Sequence, residues 1–204
     1  GISLIRAAAK NFNDVLCRSD KSDYDDLLKI IKSLGAHTTV ETRKKFAIKA
    51  FDVSSNYDTA IFNFFNKDRV INSLKISSNN YTSLRYGENP HQNAKFYGDL
   101  KKRVSQIHGK KLSYNNLLDI DNAVKLISEF KKDGPTFGIL KHNNACGISS
   151  KKSISLAYKK ALMSDPISAF GGVLVSNTEI DFKTAKLLKK LFFEVLIAPK
   201  FNKN

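Results

Sequence analysis

The first third of the chain carries apolar residues at helical spacing. In "SDKSDYDDLLKIIKSLG", Leu27, Leu28, Ile30, Ile31 and Leu34 recur every three or four positions; Ser22 stands three residues before Asp25 as in a capping box, and Gly35 marks the stop. The segment "HTTVETRKKFAIKAF" starts from a Thr38–Glu41 box and "SSNYDTAIFNFFN" from Ser54 or Ser55, each with aromatic or small residues at the same spacing, so two further helices are expected. Ahead of them, "LIRAAAKN" reads as a small-faced helix with Arg6 and Lys10 four residues apart on one side. From Asn66 to Asn80 the amphipathic order fades into "NKDRVINSLKISSNN", which reads as a linker. The expected division is residues 1–68 and 69–204.

Beyond the linker the pattern changes. Short apolar runs, "TFGILKH", "GGVLVSN" and "EVLIAP", alternate with the helical segments "SISLAYKKALM" and "DFKTAKLLKKL". That alternation predicts an α/β layer. The strand ends are polar: "KHNNACG" follows the first run and "SDPISAFGG" precedes the second. Loops beside strand ends are where α/β proteins keep their sites.

Composition narrows the class. With 42% hydrophobic and 26% charged residues over 204 positions, the chain reads as a globular protein, and no apolar run approaches the ~20 residues of a membrane span. Cys17 and Cys146 are too few for a disulfide framework, and no secretory start is visible, so a cytoplasmic setting is expected. The chain opens on Gly1 and its only methionine is Met163, which suggests a piece of a longer protein. A net charge of +15 raises nucleic-acid binding as an alternative. The basic residues are mostly lysines spread along the chain, only six are arginines, and no nucleic-acid-binding motif accompanies them, so a solvated lysine-rich surface is the preferred reading.

Several segments carry candidate chemistry. "RYGENPHQ" sets consecutive polar heads around a glycine and a proline; Arg85 offers a planar fork of donors suited to phosphate or carboxylate, and Tyr86 adds a hydroxyl. In "ILKHNNACG" an apolar strand delivers Lys141 and His142 to its end, and imidazole changes charge near neutral pH, which suits a proton acceptor. A zinc site using His142 and Cys146 lacks two further ligands, so no metal is expected. "SDPISAFGG" joins Phe170 to Gly171 and Gly172, a combination that lets a planar ring lie against backbone, or simply turns into a strand. In "GKKLSYNNLLDIDNA", Asn116 and Asp119 fall where a helix begins, and capping accounts for Asp119 most simply.

The motifs "LRYGENPHQ", "LSYNNLLDIDNA", "LKHNNACG", "SDPISAFGG" and "EVLIAP", in this order, resemble the bifunctional purine-biosynthesis family in which AICAR transformylase is joined to IMP cyclohydrolase. "LIRAAAKN", "SDYDDLL" and "ETRKKFAIKAF" are similar to the last part of its cyclohydrolase domain. The resemblance implies the end of a methylglyoxal-synthase-like domain followed by a cytidine-deaminase-like α/β subdomain without the deaminase zinc, both sites being truncated. It implies formyl transfer from 10-formyltetrahydrofolate to AICAR giving FAICAR, then ring closure to IMP, by a homodimer. His142 would be the general base, with Lys141 binding nucleotide and assisting developing charge. Arg85 and Tyr86 would grip the phosphate, while Asn116, Phe170, Gly171 and Glu194 would contact ring, carboxamide or ribose. Lys10 falls on an active-site lysine of the cyclohydrolase. A catalytically inactive dimerisation fragment, or a relative keeping one activity, are the alternatives within the family. One departure is Ala145, where many members carry proline, and a looser turn after His142 is expected from it.

Overall fold

The computed structural model describes residues 1–35 and 37–202. Two compact units divide at the downstream end of the polar stretch, Gly1–Asn80 and Tyr81–Asn204.

The first unit is helical: α1 (Ile2–Lys10), α2 (Tyr24–Leu34) and α3 (Val40–Phe65). Alanines let α1 pack closely on α3, with Ala9, Ala47, Ala50 and Cys17 buried together and Ile5, Ala8 and Phe12 against them. The two helices expected between residues 38 and 66 are one continuous helix of 26 residues. No glycine or proline interrupts Phe51 to Ser55, and the Ser54 hydroxyl, instead of capping a new helix, donates back to the Phe51 carbonyl at 3.3 Å. It also accepts from Arg6 Nη1 at 3.3 Å, and Arg6 lies 3.7 Å from Asp58, so this cation serves the α1–α3 contact.

The caps move too. Asp20 accepts from the Ser22 N–H at 2.8 Å and starts a short 3-10 turn, so Ser22 is capped rather than capping. Thr39, not Thr38, caps α3 by accepting from Thr42 N–H at 3.2 Å.

The second unit is mixed α/β. A short antiparallel ribbon, β1 (Tyr81–Ser83) with β2 (Lys95–Tyr97), brackets the "RYGENPHQ" segment. It is followed by α4 (Tyr114–Ser128), β3 (Thr136–Lys141), β4 (Asn144–Ser150), α5 (Ile154–Ser164), β5 (Gly172–Ser176), α6 (Phe182–Leu188) and β6 (Phe193–Ile197). The four strands run in the order β4-β3-β5-β6; β3 is antiparallel to both neighbours and β5 is parallel to β6.

Alternation of side chains gives the sheet two cores. Phe137, Ile139 and Leu174 pack with Ala157, Tyr158 and Ala161 of α5, whereas Leu140, Val173 and Val175 pack with Ala123 and Ile127 of α4. With helices on both faces, β3 and β5 are buried nearly throughout, and so they read as unbroken apolar runs. Strand β4 was expected as loop. It is an edge strand with one fully buried position, Gly147, so its sequence carries no apolar run. Among the described residues no helix is long and apolar enough to cross a membrane.

Candidate functional site

Helix α4 begins with a reciprocal cap. Ser113 Oγ accepts from the Asn116 N–H at 3.2 Å, while Asn116 Oδ1 accepts from the Ser113 N–H at 3.1 Å and from its hydroxyl at 3.0 Å. Both residues are buried. Because the cap consumes Oδ1, the Asn116 amide has one orientation, and its Nδ2 donates to Glu194 Oε2 at the start of β6, 3.2 Å away. Capping and site geometry are therefore the same bonds.

The preceding polar segment is tied to this helix start. Arg85 N–H donates to Leu112 O at 2.7 Å and Tyr114 N–H to Tyr86 O at 3.0 Å. Gly87 N–H donates to Gln92 O at 2.8 Å, and a Cβ on Gly87 would lie 2.9 Å from Gln92 Cβ, so the loop closes tightly on itself. The segment's backbone and the Gln92 side chain, whose Oε1 accepts from the Asn89 N–H at 2.8 Å, thus hold the loop. Arg85 remains exposed, donating to Tyr86 Oη at 3.2 Å with its guanidinium 4.8 Å from the tyrosine ring.

At the end of β3, Lys141 Nζ donates to the Phe170 and Gly171 carbonyls at 2.9 and 3.0 Å. Gly171 has φ +67, and a Cβ there would lie 2.9 Å from that ammonium; at Gly172 it would lie 2.7 Å from Leu140 O. The glycine pair therefore admits the lysine and the neighbouring strand. The Phe170 ring is 62% exposed and packs on Phe192, 5.3 Å between centroids, outside the lining of the cleft described below.

His142 and Asn143 form the two-residue turn between β3 and β4, closed by the Lys141–Asn144 pair. Both have positive φ, +49 and +65. Two-residue hairpins favour this geometry, but a non-glycine residue adopts it at a cost of about 1–2 kcal/mol. The turn is anchored: Asn143 N–H donates to Asp119 Oδ1 at 3.2 Å, Asn122 Nδ2 to Asn143 Oδ1 at 2.8 Å, and Asn144 Nδ2 to His142 O at 3.0 Å. Ala145 lies past the turn, inside β4 and paired with Leu140, so it does not occupy a loose loop. Cys146 is skipped by the strand pairing and packs against the α5-side core, where burial pushes its thiol up. Among the described residues no three His, Cys, Asp or Glu side chains gather as metal ligands.

These elements enclose a cleft of about 300 Å³. Tyr86, Asn116, Lys141, His142, Gly171 and Glu194 all line it. Arg85 stands beside it through Tyr86, and Phe170 contributes the carbonyl that holds Lys141. Lys10, exposed in the last turn of α1, belongs to the first unit.

Asp119 also lines the cleft and is not a cap. It lies three residues after Asn116, a spacing that places both on one face of α4, and that periodicity was the available signal. Burial raises its carboxyl above the usual range; the Glu194 carboxylate adds to this, while the Asn143 N–H, His142 and Lys141 oppose it. A raised folded value means the native state holds the proton more tightly than the unfolded chain. Stability from this group is thus greatest below the ordinary carboxyl range of about 4 and is lost as pH rises through the raised value. Asp119→Asn is expected to gain in urea midpoint over the parent as pH increases from 4 to 7. A difference constant with pH would overturn this account.

Residues 8–204 match the AICARFT/IMPCHase bienzyme family. The chain is 52% identical over 202 residues to the bifunctional purine biosynthesis protein PurH of Bacteroides thetaiotaomicron, covering 99% of this chain and 39% of that protein. It is 44% identical over 216 residues to the protein of the same name from Caldicellulosiruptor saccharolyticus, covering all of this chain and 42% of the relative. For Acetivibrio thermocellus the values are 42% over 211 residues, 98% and 40%. The chain spans about two fifths of the length of these curated relatives. With all but its first seven residues inside the match, the chain belongs to the AICARFT/IMPCHase bienzyme family.

Proposed function

We propose that this chain supplies the nucleotide side of a formyl-transfer site in a bifunctional enzyme of purine synthesis, together with the end of its cyclohydrolase domain. In this reading residues 1–68 close a methylglyoxal-synthase-like domain and residues 69–204 open the transformylase. The cytidine-deaminase-like description of the latter is supported by its mixed sheet with helices on both faces. The reading rests above all on one observation: Lys141 and His142 reach the same cleft as the Asn116–Glu194 pair.

The substrates are AICAR and 10-formyltetrahydrofolate, the latter bringing the formyl group. The 5-amino nitrogen of AICAR attacks the formyl carbon. A C–N bond forms, the amine proton passes to the His142 imidazole, and the bond from the formyl carbon to N10 of the folate breaks as N10 takes up a proton. Lys141, its ammonium fixed by two carbonyls, stabilises negative charge on the formyl oxygen. Asn116 and Glu194 present an amide and a carboxylate to the ribose or carboxamide. Gly171 borders the base, with Phe170 next to it holding Lys141 through its carbonyl, and Arg85 with Tyr86 takes the phosphate. FAICAR then closes to IMP with loss of water at the separate cyclohydrolase site, to which Lys10 contributes. A homodimer in the cytoplasm completes the reading, the remaining parts of both sites coming from the rest of the protein.

The full-length protein supplied with both substrates should release tetrahydrofolate. Arg85→Ala should raise KM for AICAR about 10- to 100-fold, the loss expected for a hydrogen bond to a charged group. Absence of release refutes the reading, and an unchanged KM refutes the phosphate assignment alone.

A further inference from the structure

The 142–143 turn holds two consecutive non-glycine residues in the left-handed region. Bonds from outside the hairpin add to its hold. The bonds available from outside come from one helix face. Asp119 and Asn122, three residues apart on α4, receive the Asn143 N–H and donate to the Asn143 side chain. The same helix carries Asn116, which meets Glu194. One rigid element thus touches the turn bearing His142 and the amide–carboxylate pair across the cleft. The groups facing Asp119 are His142 and Lys141 from the end of β3 and its turn, and Glu194 from β6.

We infer that Asp119 and Asn122 are positioning residues that clamp the 142–143 turn, and so fix the His142 imidazole relative to Lys141 and to the Asn116–Glu194 pair. Asp119 acts through the Asn143 backbone. The inference rests on the formyl-transfer reading for its catalytic consequence, although the clamp itself is a property of the hairpin. A base displaced by about 1 Å can lose roughly a hundredfold in rate without losing ligand contacts.

The test uses the full-length protein with AICAR and 10-formyltetrahydrofolate. Asp119→Ala should lower kcat about 10- to 100-fold with KM for AICAR within about threefold of the parent. Asp119→Asn keeps an oxygen acceptor for the Asn143 N–H and should retain most of kcat. Amide hydrogen exchange at Asn143 should accelerate in Asp119→Ala and stay slow in Asp119→Asn.

Parent-like kcat in Asp119→Ala, or a loss confined to KM, overturns the inference, as does a loss that Asn at 119 does not relieve. His142→Asn run alongside separates the two claims. If that variant turns over like the parent, the base assignment fails. If it is inactive while Asp119→Ala is not, the clamp alone fails. Should the parent itself show no formyl transfer, unchanged exchange at Asn143 in Asp119→Ala still overturns the clamp.

Discussion

His142→Asn in the full-length protein is expected to lower kcat for formyl transfer by about 10²- to 10⁴-fold, the contribution of a positioned general base. AICAR affinity should stay within about threefold and the thermal midpoint should not fall. Asparagine is the informative substitution because of the backbone. With φ at +49, His142 occupies the left-handed region, which asparagine tolerates better than most residues and alanine does not. His142→Ala would mix loss of the imidazole with strain in the hairpin, and a lower rate could then come from either. In His142→Asn the turn is kept while the only titrating group at its tip goes. Turnover within tenfold of the parent would remove His142 from the chemistry and leave the cleft as a nucleotide-binding site.

Why some of this was legible in the sequence and some was not follows from where each interaction partner lies. Strands β3 and β5 announced themselves because both of their faces are covered, by α4 and α5, which forces continuous apolar runs. Strand β4 did not, since at the sheet edge most of its residues are exposed or half-buried, and "NNACGISS" reads as turn residues. Lys141 and His142 stood out because a buried run ends on them. Ser54 was misread as a helix cap because the partner that explains it, Arg6, lies 48 residues upstream. Asp119 was misread in the same way: its partner Asn143 is 24 residues downstream, and at a helix start a carboxylate looks like a cap whatever it actually meets. Local chemistry was readable, whereas the bonds that gather it into a cleft run between segments distant in sequence.

Gly147→Ala should be the most destabilising single methyl added to the second unit. A Cβ on Gly147 would lie 2.0 Å from the carbonyl oxygen of Ala161 and 2.9 Å from its carbonyl carbon. Even close C–H···O contacts keep about 3.3 Å between carbon and oxygen, so β4 or α5 must retreat by more than 1 Å. The retreat would separate Ala157, Tyr158 and Ala161 from Phe137 and Ile139, the centre of the α5-side core. Overpacking of this severity costs about 3 kcal/mol or more, which corresponds to a fall of roughly 10 °C in thermal midpoint for a domain of this size. Gly134→Ala is the control. It has φ +77 but nothing within 4 Å of the added carbon, so only the backbone penalty of about 1–2 kcal/mol applies and the midpoint should fall less. Because β4 is the second arm of the hairpin that carries His142, displacement at Gly147 should also lower kcat at temperatures where the variant stays folded. A Gly147→Ala protein melting within about 2 °C of the parent would show that α5 and β4 do not approach this closely.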